Sequence, residues 1–198
     1  MMKDIYEISS ELGLKTYLWG GFAVDILTGK LTREHGDLDC FSENLVSNIT
    51  DLKAAYEKRG YKVNYLEDFW MLQINKGDEN ATFNNLRIIN DIVHWYHIGK
   101  HGTVFSPELW LDSIPNEFYG VQVYTAGVQF LYAVKTRVEL LSPEWKTRKK
   151  DEADIKILKY ILDSMGISEV KIYSKIWNHN PYWYAKGYEK YLKPIIVG

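Results

Sequence analysis

Apolar positions along the first sixty residues follow two different periods. Ile5, Ile8 and Leu12 recur at helical spacing, which predicts a helix over 3–12 ending at Gly13. TYLW (16–19) is a short β-type run; Gly20 and Gly21 follow, and FAVDILTG then reads as a helix stopped by Gly29. In DLDCF (37–41) a period of two places Asp37, Asp39 and Phe41 on one face and Leu38 and Cys40 on the other. After Thr50, the run DLKAAYEKRG predicts a capped amphipathic helix closed by Gly60.

Further strands are predicted at YKVNYL (61–66), FWMLQI (69–74), within the apolar run of 86–98, and at YGVQVYTA (119–126). Residues 127–141, 150–164 and an aromatic piece from about 169 to 192 read as helices, with Pro143 breaking the first from the second. Strands and helices mix early and helices gather late. The expected fold class is therefore α/β (α+β), a mixed β-sheet flanked by helices, with a core domain over 1–125 and a helical C-terminal region over 126–198.

Composition narrows the class of function. The 198 residues are 46% hydrophobic and 25% charged, ordinary values for a globular chain. A formal net charge of −2 argues against nonspecific binding to nucleic acid or to an anionic membrane surface. The single Cys40 precludes an intramolecular disulfide and suits a reducing cytosol. No apolar run approaches the ~18 residues of a membrane span, and the N-terminus lacks a basic segment followed by an apolar one. A soluble cytoplasmic protein is expected.

The informative chemistry lies in WGGFAVDILTGKLTREHGDLDC (19–40). A strand followed by Gly-Gly and a helix presents backbone N–H groups at a helix N-terminus, where phosphate is favoured. Glycine permits close approach of backbone to ligand because it has no Cβ. Two aspartates at i and i+2 of a strand point the same way and can share a divalent cation. Oxygen-only ligation suits Mg²⁺, which sits between carboxylates and substrate phosphates. Two such ions can stabilise the attacking and leaving oxygens of an in-line displacement at phosphorus.

The same stretch resembles the signature of the nucleotidyltransferase superfamily related to DNA polymerase β, and most of all the small lincosamide and aminoglycoside-2″ nucleotidyltransferases. The matching positions are Gly20, Gly21, Phe22, Asp25, Gly29, Thr32, Arg33, His35, Asp37 and Asp39, with Phe22 where tryptophan is more usual. The resemblance implies a nucleotidyltransferase-type sheet and transfer of a nucleoside monophosphate, AMP from ATP or from another NTP its equivalent. The acceptor is a hydroxyl of a small molecule such as an aminoglycoside or lincosamide, and pyrophosphate leaves. It implies that Gly20 and Gly21 hold the triphosphate and that Asp37 and Asp39 bind Mg²⁺, two ions being expected. It also asks for a third carboxylate that serves as metal ligand and general base. Asp91 is the candidate, with His94 as the fallback and Asp68, Asp78 and Glu79 as rivals in turn-like surroundings.

Arg33 and His35 are candidate nucleotide contacts, weighed against a loop salt bridge with Asp25 or Glu34. Asp25 reads as structural, fixing the Thr-Arg loop. The segment 128–158 resembles the C-terminal helices of the same enzymes, and by that match Lys135 becomes a phosphate contact. Asp151 and Asp154 read as helix-capping residues, and the basic run from Lys146 to Lys150 as a solvated face. Tyr184, Tyr188 and Tyr191 fit a core-facing stripe better than a stacking wall. His94, His97 and His101 lack the partners of a zinc site. A second class of function is a nucleotide-binding regulatory or toxin–antitoxin-type module of the same fold. Within the enzyme class, the acceptor could instead be a protein or a tRNA, though the net charge disfavours nucleic acid.

Overall fold

The computed structural model describes residues 1–89, 92–97, 101–105, 111–112, 114–140, 145–173 and 194–197. It divides into two compact units, one of residues 1–87 and 112–125, the other of residues 88–111 and 126–198.

The first unit is built on a mixed sheet of seven strands in the order β3-β4-β5-β2-β1-β9-β8. These are β1 (Thr16–Trp19), β2 (Leu38–Glu43), β3 (Lys62–Leu66), β4 (Met71–Lys76), β5 (Glu79–Ile89), β8 (Asn116–Phe118) and β9 (Val121–Thr125). Strand β2 lies antiparallel to β1 and parallel to β5, while β1 is parallel to β9. Three helices belong to this unit: α1 (Met2–Glu11), α2 (Gly20–Thr28) and α3 (Ile49–Lys58).

Period-two alternation decides what is buried. Leu18, Cys40, Leu72, Ile74, Ala81 and Phe83 are all buried, as are Ile5 and Ile8 of α1 and Leu52 and Tyr56 of α3. The Tyr56 and Phe83 rings lie 5.6 Å apart, so α3 covers this face of the sheet. Arg59, just past α3, ties it to α1 through Asp4 (3.0 Å), Glu7 (2.7 Å) and Glu11 (2.7 Å).

Strand β5 differs from expectation. The sequence pattern predicts a strand only from residue 86, yet pairing with both β4 and β2 begins near Glu79 and Ala81. Its N-terminal half, ENATFNN, is rich in Asn, which has low strand propensity; its neighbours on both sides impose the conformation.

The second unit contains α4 (Val128–Thr136) and α5 (Lys149–Ser164), which pack on each other. Phe130 to Lys135 are buried without a break, as expected of a helix enclosed by protein, and Leu158 and Leu162 of α5 are buried too. Strands β6 (Ile92–His97) and β7 (His101–Phe105) pair antiparallel, and so do β10 (Val170–Tyr173) and β11 (Pro194–Val197). The aromatic helix expected from about 169 therefore begins as a strand. Its Tyr184, Tyr188 and Tyr191 lie outside the described residues. Among the described residues, no helix is long and apolar enough to cross a membrane.

Candidate active site

Strand β1 runs straight into α2. Trp19 is still extended, and the helix begins on Gly20, whose φ of +73° is the left-handed conformation that glycine adopts without penalty. Trp19 is the register partner of Asp39, so the start of α2 stands beside the second aspartate. A Cβ on Gly20 would lie 2.5 Å from Asp39 Oδ2. A Cβ on Gly21 would collide with the Arg33 guanidinium and come within 3.2 Å of His35 Cε1. The two glycines thus meet different neighbours: Gly20 admits a carboxylate and Gly21 admits a cation.

The connector from α2 to β2 explains how Arg33 arrives there. Gly29, in the left-handed conformation, ends α2, and the chain turns back along it. Asp25, wholly buried in α2, receives the Thr32 hydroxyl on one oxygen and lies 2.6 Å from His35 Nε2 on the other. The His35 ring also meets Phe22 edge-on at 5.1 Å, and Phe22 in turn meets Phe118 at 5.8 Å. Arg33 Nη1 donates to the Glu34 carbonyl at 3.2 Å. Of the loop partners expected of Asp25, the structure brings His35 against its carboxylate.

Asp37 is exposed just before β2, and Asp39 is half-buried on the strand. Asn80 Nδ2 donates to the Gly36 carbonyl at 2.6 Å and anchors the turn that presents Asp37. Asp39 pairs across the parallel ladder with Thr82 of β5. Asn80 and Thr82 are neighbours that sequence reading missed; the Gly77-Asp78 turn was the signal that could have located their strand. Two carboxylates at an accessible strand end, beside backbone N–H groups, fit a hard cation with remaining positions for phosphate oxygens and water.

Asp91, expected as the third carboxylate, lies outside the described residues, and the His94 side chain is likewise not described. Val93 and Trp95 of β6 are buried. Asp78 sits in the β4–β5 turn, as its surroundings suggested. Among the described residues, no three His, Cys, Asp or Glu side chains cluster at metal distance.

The expected phosphate contact of Lys135 meets a different arrangement. Within the second unit its ammonium is buried 3.1 Å from Asp151 Oδ1 and 2.8 Å from Asp154 Oδ2. Arg148 adds a bond to Asp151 at 2.7 Å, and the Arg148 backbone N–H donates to the same carboxylate at 3.2 Å. Burial alone would raise the Asp151 carboxyl, but the bonds from Arg148 and the charge of Lys135 outweigh it and hold it well below the usual carboxylate range. Asp151 and Asp154 therefore join the start of α5 to α4.

Residues 1–76 match the family model of aminoglycoside-2″-adenylyltransferases. The structure is similar to the solution structure of the antibiotic-resistance factor ANT(2″)-Ia, with a TM-score of 0.63, 17% identity and 83% of each chain covered. It is also similar to the lincomycin-bound lincosamide antibiotic adenylyltransferase LnuA, with a TM-score of 0.60, 19% identity, and 81% of this chain and 98% of that one covered. ANT(2″)-Ia in complex with adenylyl-2″-tobramycin gives a TM-score of 0.61 at 18% identity, over 83% of this chain and 89% of that one. No curated protein matches the chain by sequence. The resemblance read from residues 19–40 is borne out. The chain has the fold of these antibiotic adenylyltransferases, and the part of it that carries the glycine pair and the two aspartates, within residues 1–76, matches the model of the aminoglycoside-2″-adenylyltransferase family.

Proposed function

We propose that the protein transfers a nucleoside monophosphate, AMP from ATP, to a hydroxyl of an aminoglycoside- or lincosamide-like acceptor in a Mg²⁺-dependent reaction. The acceptor oxygen forms a bond to the α-phosphorus as the bond to pyrophosphate breaks. The observation that carries this reading is the meeting of Asp39 with the Gly20 start of α2, with Arg33 over Gly21.

In this reading the nucleotide site belongs to residues 1–125. The first N–H groups of α2 and the Arg33 guanidinium bind the triphosphate, combining the positive end of a helix with a charged donor. His35 holds the Arg33 loop against α2 and stands beside the same phosphates. Asp37 and Asp39 hold Mg²⁺, two ions in the full complex, and Asp91 is assigned as third ligand and as base for the acceptor proton. Bound Mg²⁺ supplies charge stabilisation at the reacting phosphate and the departing pyrophosphate. Lys135, already committed to two buried carboxylates, is assigned to the architecture of the second unit.

The test is incubation of the protein with Mg²⁺, α-labelled ATP and a panel of aminoglycosides and lincosamides. Label should move to at least one acceptor, and pyrophosphate should appear in equal amount. Absence of labelled acceptor across the panel, with tight Mg·ATP binding retained, would favour the regulatory-module alternative or a macromolecular acceptor.

A further inference from the structure

Asp25 is a buried carboxylate that takes no part in the chemistry assigned above. Both of its polar ends are occupied by the last residue of α2 and the connector that follows it. Its carbonyl accepts the Lys30 N–H at 3.2 Å and the Thr28 hydroxyl at 2.9 Å. Its carboxylate accepts the Thr32 hydroxyl and lies 2.6 Å from His35 Nε2. An isolated charge in so buried a place is strongly disfavoured, so these partners are obligatory for the folded site.

Thr32 and His35 bracket Arg33 in sequence, one residue before it and two after it. The backbone carrying Arg33 is thus pinned on both sides to one carboxylate in the helix. The guanidinium comes to rest where a Gly21 side chain would otherwise stand, over the first turn of that same helix. A guanidinium and a helix N-terminus repel each other, so the pair gains most when an anion lies between them.

We propose that Asp25 is a positioning residue for nucleotide binding. By holding Thr32 and His35 it sets Arg33 over Gly21 before the triphosphate arrives, and so it sets affinity for the nucleotide through Arg33. This inference rests on the reading of Arg33 as a triphosphate ligand. Preorganisation of this kind removes the cost of ordering a long side chain at the moment of binding.

A double-mutant cycle separates positioning from a purely structural role. Mg·ATP affinity and melting temperature are measured for the wild type, Asp25→Asn, Arg33→Ala and the double variant. Asp25→Asn should weaken Mg·ATP binding by about tenfold, in the range of one charge-assisted hydrogen bond. The double variant should bind no more weakly than Arg33→Ala alone. Thr32→Val, which removes one of the two side-chain bonds, should give an intermediate loss and serves if Asp25→Asn does not fold. His35→Gln, which retains a donor toward Asp25, should bind better than His35→Ala. Additive losses in the double variant, or a lowered melting temperature with unchanged affinity, would overturn the positioning role while leaving the nucleotidyltransferase reading intact. A wild type that does not bind Mg·ATP would overturn both.

Discussion

Replacement of Gly21 by alanine separates the fold from the function of the α2 N-terminus. Gly21 does not occupy a positive φ, so alanine is conformationally acceptable there. Alanine is the better helix former, by at most about 1 kcal/mol at an interior position and by less in a first turn. Against this stands the collision of the new Cβ with the Arg33 guanidinium and its 3.2 Å approach to His35 Cε1. The guanidinium is the far end of a flexible side chain and can move aside, and the His35 ring beside Asp25 needs to yield only a few tenths of an ångström, so the stability cost stays small. If that guanidinium binds phosphate, its displacement forfeits a charge-assisted hydrogen bond of about 1.5–3 kcal/mol. At about 1.4 kcal/mol per tenfold, Mg·ATP affinity should fall about 10- to 150-fold. Gly20→Ala provides the contrast, because φ +73° and the 2.5 Å approach to Asp39 penalise both backbone and site. It should lower the melting temperature as well as nucleotide affinity. Calorimetric titration with Mg·ATP and thermal melts of both variants make the comparison. A Gly21→Ala protein with wild-type affinity would refute the placement of phosphate at this helix end. A Gly21→Ala protein that melts far below wild type would refute the division between fold and function.

The second unit invites two further measurements, and the first unit one. Lys135→Met removes the buried ammonium shared by Asp151 and Asp154, and loss of one partner from such a cluster costs about 3–5 kcal/mol; urea denaturation should register a loss of that size. The Asp151 carboxyl is held below its unfolded value, so its contribution to stability is complete above about pH 4 and is lost as pH falls toward the folded value. Acid denaturation curves should therefore steepen below about pH 4 in the wild type, and Asp151→Asn should flatten that part of the curve. In the first unit, Arg59→Ala should cost little and the loss should shrink in high salt, because Arg59 and its three carboxylates are partly exposed; melting at two ionic strengths tests this.

The path from Thr16 to Asp39 was legible in the sequence because local chemistry dictates it. Gly29 ends a helix with its left-handed backbone, and alternation puts Leu38 and Cys40 in the core with Asp39 on the other face. Strand β5 was not legible over 79–85, since Asn80, Asn84 and Asn85 give a weak strand signal and only β2 and β4 on either side fix them. The short β8 offered three residues without a pattern, and its conformation comes from pairing with β9. Lys135 shows a different limit. Its helix and its match to the C-terminal helices of the family both suggested a phosphate contact, but a sequence does not reveal that two carboxylates sixteen and nineteen positions later close on the same ammonium. The Asp25 latch lay between these cases: its residues stood in the motif, and its bonds to Thr32 and His35 needed the folded connector.

In the proposed function, Gly20-Gly21 and Asp37-x-Asp39 serve one magnesium–triphosphate. The most direct measurement is ATP titration with and without Mg²⁺, on the wild type and on Asp37→Asn/Asp39→Asn. The wild type should bind ATP far more tightly with Mg²⁺ than without it, and the double variant should lose that difference while keeping its melting temperature. Equal dependence on Mg²⁺ in both proteins would contradict the claim.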